Sequence, residues 1–336
     1  MSMHVLTWNV SFGAMTGSDD DRSSIPLPEK CREKYEKDVN GESVTQCLMN
    51  VVKTIDESSR SQSYDFVALQ EVSNWNIIFS NSVELQRMGG YVHHLADKAD
   101  MATFYDANKY TLLAVKVGNL LPGNGRPYQI LFLQNKQDDS YYIFINLHNG
   151  HGILKEILER KLSENINRGV IPSKDSKLDI NSSISEVDIS DIISSKDFKI
   201  IMAGDTNDHN IFNYWRGLQP FKITPFPNIN RLEVKSTQPP NTCCAPDSRR
   251  ILRRAKTDDT EYGDYILFSQ NLYVLIDNRV LGFNYDARVF PTSDHLPVES
   301  ILSTIPIRKD SGDLKYKKKY LKYKQKYLEI KNNISV

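Results

Sequence analysis

Apolar stretches of five or six residues recur along the chain, separated by polar or glycine- and proline-bearing connections. Their lengths and β-branched content predict strands over residues 5–10, 66–70, 111–116, 129–134, 142–147, 199–203, 265–269 and 298–302. Between them the period changes. Val44, Cys47, Leu48, Val51, Val52 and Ile55 repeat at helical spacing, predicting a helix over 43–56. Further helices are expected over 153–167 and 184–193. The polar link Asn135-Lys-Gln-Asp-Asp-Ser140 has hairpin length, so the sheets cannot be purely parallel. Strands in the core with helices outside make a mixed α/β sandwich the expected class. The aromatic pair Phe104-Tyr105 reads as core.

Three segments look like additions to that core. Residues 19–40 are charged and proline-containing and read as a long loop. Residues 173–185, rich in Ser, Asp and Asn, are expected to be mobile. The third is the C-terminal tail, where Tyr316, Tyr320, Tyr323, Tyr327 and Ile330 alternate spacings of four and three. That is the stripe of a short coiled coil, and Leu314, Leu321 and Leu328 widen it while lysines fill the remaining positions. The expected division is therefore a folded domain over 1–307 and a basic amphipathic helical tail over 308–336. The tail suits docking, self-association or contact with a polyanion.

With 40% hydrophobic and 25% charged residues, the 336-residue chain has the composition of a folded globular protein. No apolar run approaches the roughly 18–20 residues that span a bilayer. The N-terminus has no signal-peptide pattern, so a cytoplasmic location is expected, with the nucleus as the alternative. Four cysteines (Cys31, Cys47, Cys243, Cys244) are too few for a disulfide scaffold and lack zinc spacing, so inert thiols are expected. The formal net charge of zero is unevenly spread. Residues 308–331 hold ten basic and three acidic side chains, a balance of +7, which leaves −7 for the preceding chain. A mildly acidic body does not grip long nucleic acid unaided; metal ions, a local basic patch or the tail would have to help.

Six clusters each put an acidic, amide or imidazole side chain at the end of an apolar strand: Thr7-Trp-Asn-Val10, Leu69-Gln-Glu-Val72, Asn146-Leu-His-Asn-Gly-His151, Ala203-Gly-Asp-Thr-Asn207, Gly263-Asp-Tyr-Ile266 and Thr292-Ser-Asp-His-Leu296. A strand end is a rigid mount, and several can converge on one cleft. Singly, each has an ordinary reading: Asn9 as a turn cap, Glu71 as a solvated surface group, Asp205 in an Asx-turn. Together they form a chemical kit. Glu71, Asp205 and Asp294 are hard oxygen ligands suited to Mg²⁺ or Mn²⁺ rather than zinc. Asn9 and Asn207 can hold water or a phosphate oxygen without adding charge. His148 and His295 can contact phosphate or move protons, and Asp264 can fix the tautomer of one of them. Such a set supports in-line attack of water on a phosphoester.

The ordered series Trp-Asn-Val, Gln-Glu-Val, Leu-His-Asn, Gly-Asp-Thr-Asn, Asp-Tyr-Ile and Ser-Asp-His resembles the motif order of the endonuclease/exonuclease/phosphatase superfamily. The resemblance covers residues 3–304 and implies a four-layer α/β sandwich of two mixed β-sheets flanked by helices. It further implies that Glu71 is the principal Mg²⁺ ligand with Asn9 beside it, and that Asp294 completes the metal site. Asp205 would orient or deprotonate the attacking water, and Asn207 would hold the phosphate. His295, paired with Asp264, would stabilise developing charge or act as base, while His148 would assist the phosphate or leaving group. The assignment of the base to Asp205 or His295 stays open. His151 is the weaker of the two histidines in its cluster. Arg126, on the glycine loop Gly123-Asn-Gly-Arg-Pro127, and Arg249 and Arg250, in a basic run, are candidate substrate-binding residues. The Tyr-Leu-Lys-Tyr-Lys repeats of the tail resemble those ending some giant-virus proteins.

Within the superfamily, Thr242-Cys-Cys-Ala-Pro246 departs from the segment shared by inositol 5-phosphatases. Thr260-Glu-Tyr-Gly263 replaces the Gly-Trp-Arg run of apurinic endonucleases. The expected activity is thus a Mg²⁺-dependent (or Mn²⁺-dependent) nuclease or nucleotide phosphodiesterase. A phosphomonoesterase or phospholipase-type enzyme, and a non-catalytic binding module, are the competing readings.

Overall fold

The computed structural model describes residues 2–11, 15, 34–37, 43–96, 99–120, 126–150, 158, 160–162, 164–172, 177–180, 185–194, 196–206, 232–233, 264–269, 272–281 and 297–304. Within them the strands are β1 (Ser2–Asn9), β2 (Lys34–Lys37), β3 (Ser43–Thr45), β4 (Phe66–Gln70), β5 (Gly89–Ala96), β6 (Ala99–Asp106), β7 (Tyr110–Asn119), β8 (Pro127–Asn135) and β9 (Tyr141–His148). They continue with β10 (Arg168–Gly169), β11 (Lys177–Ile180), β12 (Val187–Asp188), β13 (Phe198–Asp205), β14 (Leu232–Glu233), β15 (Asp264–Ser269), β16 (Tyr273–Val280) and β17 (Val298–Ser303). The helices are α1 (Gln46–Ser59), α2 (Trp75–Asn81), α3 (Val83–Met88) and α4 (Ser190–Ser194).

Two mixed sheets carry the fold. One has the order β11-β5-β6-β4-β1-β17-β16, the other β14-β15-β13-β9-β8-β7. In the first, β1 runs parallel to β4 and antiparallel to β17. In the second, β13 runs parallel to β9 and antiparallel to β15. All eight predicted strands are present, and the Asn135–Ser140 link closes the β8–β9 hairpin through a 2.8 Å bond from the Asn135 N–H to the Ser140 carbonyl.

Because strand side chains alternate between faces, nearly continuous apolar runs divide into separate cores. Met3 and Val5 of β1, Phe66 and Ala68 of β4, Phe144 of β9 and Ile201 of β13 meet between the sheets. The intervening Leu6, Trp8, Val67 and Leu69 face α1, α2 and α3 instead. On the far side, Ile143, Ile145, Ile200 and Met202 pack against Leu158, Leu162, Ile189 and Ile193. Helix, sheet, sheet and helical cover make four layers, as expected. Each fully buried Phe or Leu contributes roughly 2 kcal/mol through removal from water. Phe104 and Tyr105 are fully buried, in keeping with a core reading.

The differences from the sequence expectations are local. The first helix begins at Gln46, not 43, because Ser43–Thr45 pairs with Lys34–Lys37; the Thr45 hydroxyl then accepts the Leu48 N–H at 3.1 Å. That pairing also places a strand inside the expected 19–40 loop. The helix expected over 184–193 shrinks to Ser190–Ser194, since Val187–Asp188 pairs with Arg168–Gly169 and the Asp188 carboxylate receives the Ser190 N–H at 2.8 Å. Lys177–Ile180, within the expected mobile segment, is instead an edge strand parallel to β5, with Leu178 and Ile180 turned to the inter-sheet core. Residues 160–162 are helical but 164–167 form turns, so the helix expected over 153–167 ends short of its predicted bound, and residues 153–157, 159 and 163 lie outside the described residues. So does the tail from 305 on, with every expectation attached to it. Cys47 is buried and disulfide-bonded, which corrects the inert-thiol reading there.

Candidate active site

The parallel pairs β1–β4 and β13–β9 point their C-terminal ends the same way, and those ends carry the predicted polar residues. Asn9 closes β1, Glu71 follows β4, Asp205 ends β13 and His148 ends β9. In register, Asp205 lies beside His148 on one side and Asp264 on the other. The backbone N–H of Asn149 then donates to the Asp205 carbonyl at 2.8 Å, which extends the strand pairing into the site.

The side chains converge across the two sheets. The Asn9 amide nitrogen donates to Glu71 Oε1 at 3.3 Å and to Asp205 Oδ2 at 3.0 Å, joining one carboxylate from each sheet. Its amide oxygen accepts the Ser11 N–H at 3.0 Å. His148 Nε2 sits 3.4 Å from Glu71 Oε1 and 3.6 Å from Asp205 Oδ2. The Arg126 guanidinium abuts the same imidazole nitrogen. Two carboxylates therefore face one permanent cation, one titratable ring and one amide donor, which offsets the repulsion of bringing them together. Asn9, His148, Asp205 and Asp264 are at most 2% exposed, whereas the Glu71 side chain is 27% exposed. Among the described residues the site thus has a buried floor and one solvent-facing carboxylate.

Local backbone geometry serves the same end. Glu71 has φ 55°, a left-handed conformation unusual for a side-chain-bearing residue, as the chain turns out of β4. Gly204, with φ 152°, precedes Asp205 where a Cβ would come within 2.0 Å of the Leu147 carbonyl oxygen. Only glycine lets β13 approach β9 closely enough to set Asp205 beside His148.

Beneath these residues runs a buried polar network that the motif reading did not single out. Gln70 donates to Asn146 Oδ1 at 2.7 Å, Asn146 donates to Thr103 Oγ1 at 3.0 Å, and Thr103 donates to Gln129 Oε1 at 2.6 Å. Gln129 in turn donates to the Met101 carbonyl at 3.0 Å. Gln70 and Thr103 belong to one sheet, Asn146 and Gln129 to the other. A polar side chain within an otherwise apolar strand was the available sequence signal.

Of the predicted site residues, the structure brings together Asn9, Glu71, His148, Asp205 and Arg126, with Asp264 in register beside Asp205. Asn207, Asp294, His295, Arg249 and Arg250, and also His151, lie outside the described residues. Among the described residues no group of three or more His, Cys, Asp or Glu stands in metal-holding geometry. The donor chemistry nonetheless fits a hard cation: two carboxylates meet here, one open to water.

Two face-to-face mixed sheets with flanking helices, and polar side chains gathered at one end of both, define the deoxyribonuclease I-like α/β sandwich. Solved structures of endonuclease/exonuclease/phosphatase proteins share that fold with this chain. The family protein from Bacteroides vulgatus superposes with a TM-score of 0.50 at 15% identity, covering 90% of this chain and 99% of that one. The human Nocturnin catalytic domain with bound sulfate gives 0.52 at 16% identity, with 90% and 94% covered. ANGEL2, a 2′,3′-cyclic phosphatase, gives 0.51 at 15% identity, with 90% and 95% covered. In sequence, an uncharacterized protein of Acanthamoeba polyphaga mimivirus is 31% identical over 151 residues, which is 44% of this chain and 26% of that protein. The chain thus spans about a quarter of the length of the curated relative it matches. No protein-family model matches the chain.

Proposed function

We propose that this protein is a Mg²⁺-dependent phosphodiester hydrolase acting on nucleotides or nucleic acid. One observation carries the reading: Asn9, Glu71, Asp205 and His148 meet within 3.6 Å contacts at the ends of strands from both sheets. Glu71, with Asn9 beside it, would hold the cation, and Asp294 would complete the metal site. Bound there, Mg²⁺ would neutralise charge on the phosphate and make water a better nucleophile.

The chain's own groups supply the rest. Asp205, which accepts the Asn9 amide at 3.0 Å, would orient the attacking water and accept its proton, alone or with His295. The water oxygen then bonds to phosphorus as the ester oxygen leaves with the electron pair of the broken bond. Arg126, which abuts His148, and His148 itself would stabilise charge on the phosphoryl oxygens. Support for a nucleotide substrate comes from a fold neighbour, ANGEL2, solved with adenosine-2′,3′-vanadate; the sulfate bound to Nocturnin accords with a phosphoester site of any kind.

The test is hydrolysis by the full chain, with Mg²⁺ or Mn²⁺, of DNA, RNA, a 5′-tyrosyl oligonucleotide, a dinucleotide, an inositol polyphosphate and sphingomyelin. Cleavage of a nucleotide substrate that is lost with EDTA, and reduced at least roughly 100-fold by Glu71→Ala, is expected. Cleavage indifferent to both would overturn the mechanism. Release of phosphate or phosphocholine with nucleic acid intact would move the substrate to the phosphomonoesterase or phospholipase class.

A further inference from the structure

Toward the site, the layer between the two sheets turns from apolar to polar. Val5, Ala68, Tyr105, Leu131 and Phe144 lie in the inter-sheet core. Two positions along the same strands stand Thr7, Gln70, Thr103, Gln129 and Asn146, all fully buried. Burying amides is costly unless their hydrogen bonds are made. One is not made: Gln70 Oε1 is buried and has no hydrogen-bond partner among the described residues. Stability alone does not account for such a group, so the gain lies in what the other bonds of the set hold in place.

Those bonds run from the second sheet to the backbone of the first. The Asn146 amide nitrogen reaches the carbonyls of Leu69 at 3.4 Å and Ala102 at 3.2 Å, besides Thr103 Oγ1. Two carbonyl acceptors fix which end of that amide is nitrogen, so Asn146 Oδ1 accepts, and Gln70 Nε2 donates to it at 2.7 Å. From β8, Gln129 donates to the carbonyls of Val92 at 3.2 Å and Met101 at 3.0 Å, and Met101 stands in register with Gln70. Gln70 is the residue before Glu71, which at once leaves β4 in a left-handed conformation, and Asn146 lies two residues before His148 on β9. The amide pair therefore ties β4 to β9 just where Glu71 Oε1 lies 3.4 Å from His148 Nε2. Apolar contacts between sheets have no direction and permit sliding, whereas an N–H···O bond fixes both distance and angle.

We propose that Gln70 and Asn146 are positioning residues, whose amide-to-amide bond sets the Glu71 carboxylate in place for the cation. Both act through Glu71, and the proposal rests on the metal-dependent hydrolase reading given above. Displacing a ligand by a fraction of an ångström is enough to weaken a metal site, since partners behind the ligands typically govern affinity by roughly 10–100-fold.

The experiment is Mn²⁺ binding to the full chain, read from the electron paramagnetic resonance of free Mn²⁺, for the wild type, Gln70→Met, Glu71→Gln and the double replacement. Gln70→Met is expected to weaken binding at least roughly 10-fold, and to weaken it no further once Glu71→Gln is present. Thermal melting confirms that each variant is folded. If Gln70→Met is not, Thr103→Val, close in shape but without the hydroxyl that Asn146 reaches, carries the same expectation. Tyr64→Phe, which loses a buried bond to Glu299 away from the site, is expected to lower the melting temperature and leave Mn²⁺ affinity unchanged. Equal affinity in the wild type and Gln70→Met, with Glu71→Gln weakened, overturns the proposal and leaves the metal reading standing. So does a loss in Gln70→Met that adds in full to that of Glu71→Gln, because the amide then acts elsewhere. A wild-type chain that binds no Mn²⁺, or binds it equally in Glu71→Gln, removes the metal reading and this proposal with it.

Discussion

Glu71 combines two properties that pull in opposite directions. Its left-handed backbone, φ 55°, costs about 1–2 kcal/mol in a residue with a Cβ. Its carboxylate is nonetheless the solvent-facing acid among the described residues of the cluster, held by Asn9 and His148. Glycine adopts the same φ without strain but removes the acid. Glu71→Gly is therefore expected to leave stability unchanged or raise it by up to about 1 kcal/mol while eliminating metal-dependent hydrolysis. Urea unfolding together with an activity assay checks this; a large loss of stability would show that the turn needs the carboxylate contacts more than it suffers from the strain.

At the scale of elements, the strand β1 is tied down at both ends by polar contacts. Its far end, opposite the site, buries His4 between two acceptors. Nδ1 lies 2.8 Å from the Gln62 carbonyl and Nε2 lies 3.1 Å from Glu299 Oε2 on β17. Tyr64 lies tilted against the ring, with centroids 4.1 Å apart, and donates to the same carboxylate oxygen at 2.8 Å. All three side chains are essentially unexposed, so removing the carboxylate strands a buried imidazole, while the Tyr64 hydroxyl keeps Ser58 Oγ at 2.8 Å. Glu299→Ala is expected to lower stability by roughly 3–5 kcal/mol, read from the urea midpoint, and to leave the site's metal requirement intact in whatever fraction folds. A loss under about 1 kcal/mol would mean that water replaces the carboxylate.

For the whole molecule, what matters is how two sheets are held face to face. The Gln70–Asn146–Thr103–Gln129 chain bonds one sheet to the other directly below the active site, so the spacing between Glu71 and His148 is set by the sandwich itself. Around that network the core includes phenols kept neutral by burial. Desolvation pushes Tyr128 and Tyr142 up to about 12 from 10.0, and Tyr110 well above its ordinary value. A group whose folded value is raised gives stability that is complete below its unfolded value and is lost as pH rises through the folded one. Stability is thus expected to hold up to about pH 10 and to fall steeply between about 10 and 12. A late fraction of the tyrosinate absorbance should appear together with the loss of circular dichroism. Ionisation of every tyrosine near its ordinary value, with the fold intact, would contradict this.

The sequence determined the eight predicted strands, because runs such as residues 66–69 and 142–145 are apolar on both faces and favour a buried sheet. It also determined which polar side chains stand at the strand ends, and hence Asn9, Glu71, His148 and Asp205 as a candidate set. Strands whose pattern is broken were not legible: Gly89–Ala96 carries two histidines, and Lys177–Ile180 sits in a polar stretch and pairs only because β5 offers an edge. Periodicity is a property of one segment, whereas register and inter-sheet distance depend on segments far apart in the chain. Tertiary structure alone set Asn9 between the two carboxylates and Arg126 against His148.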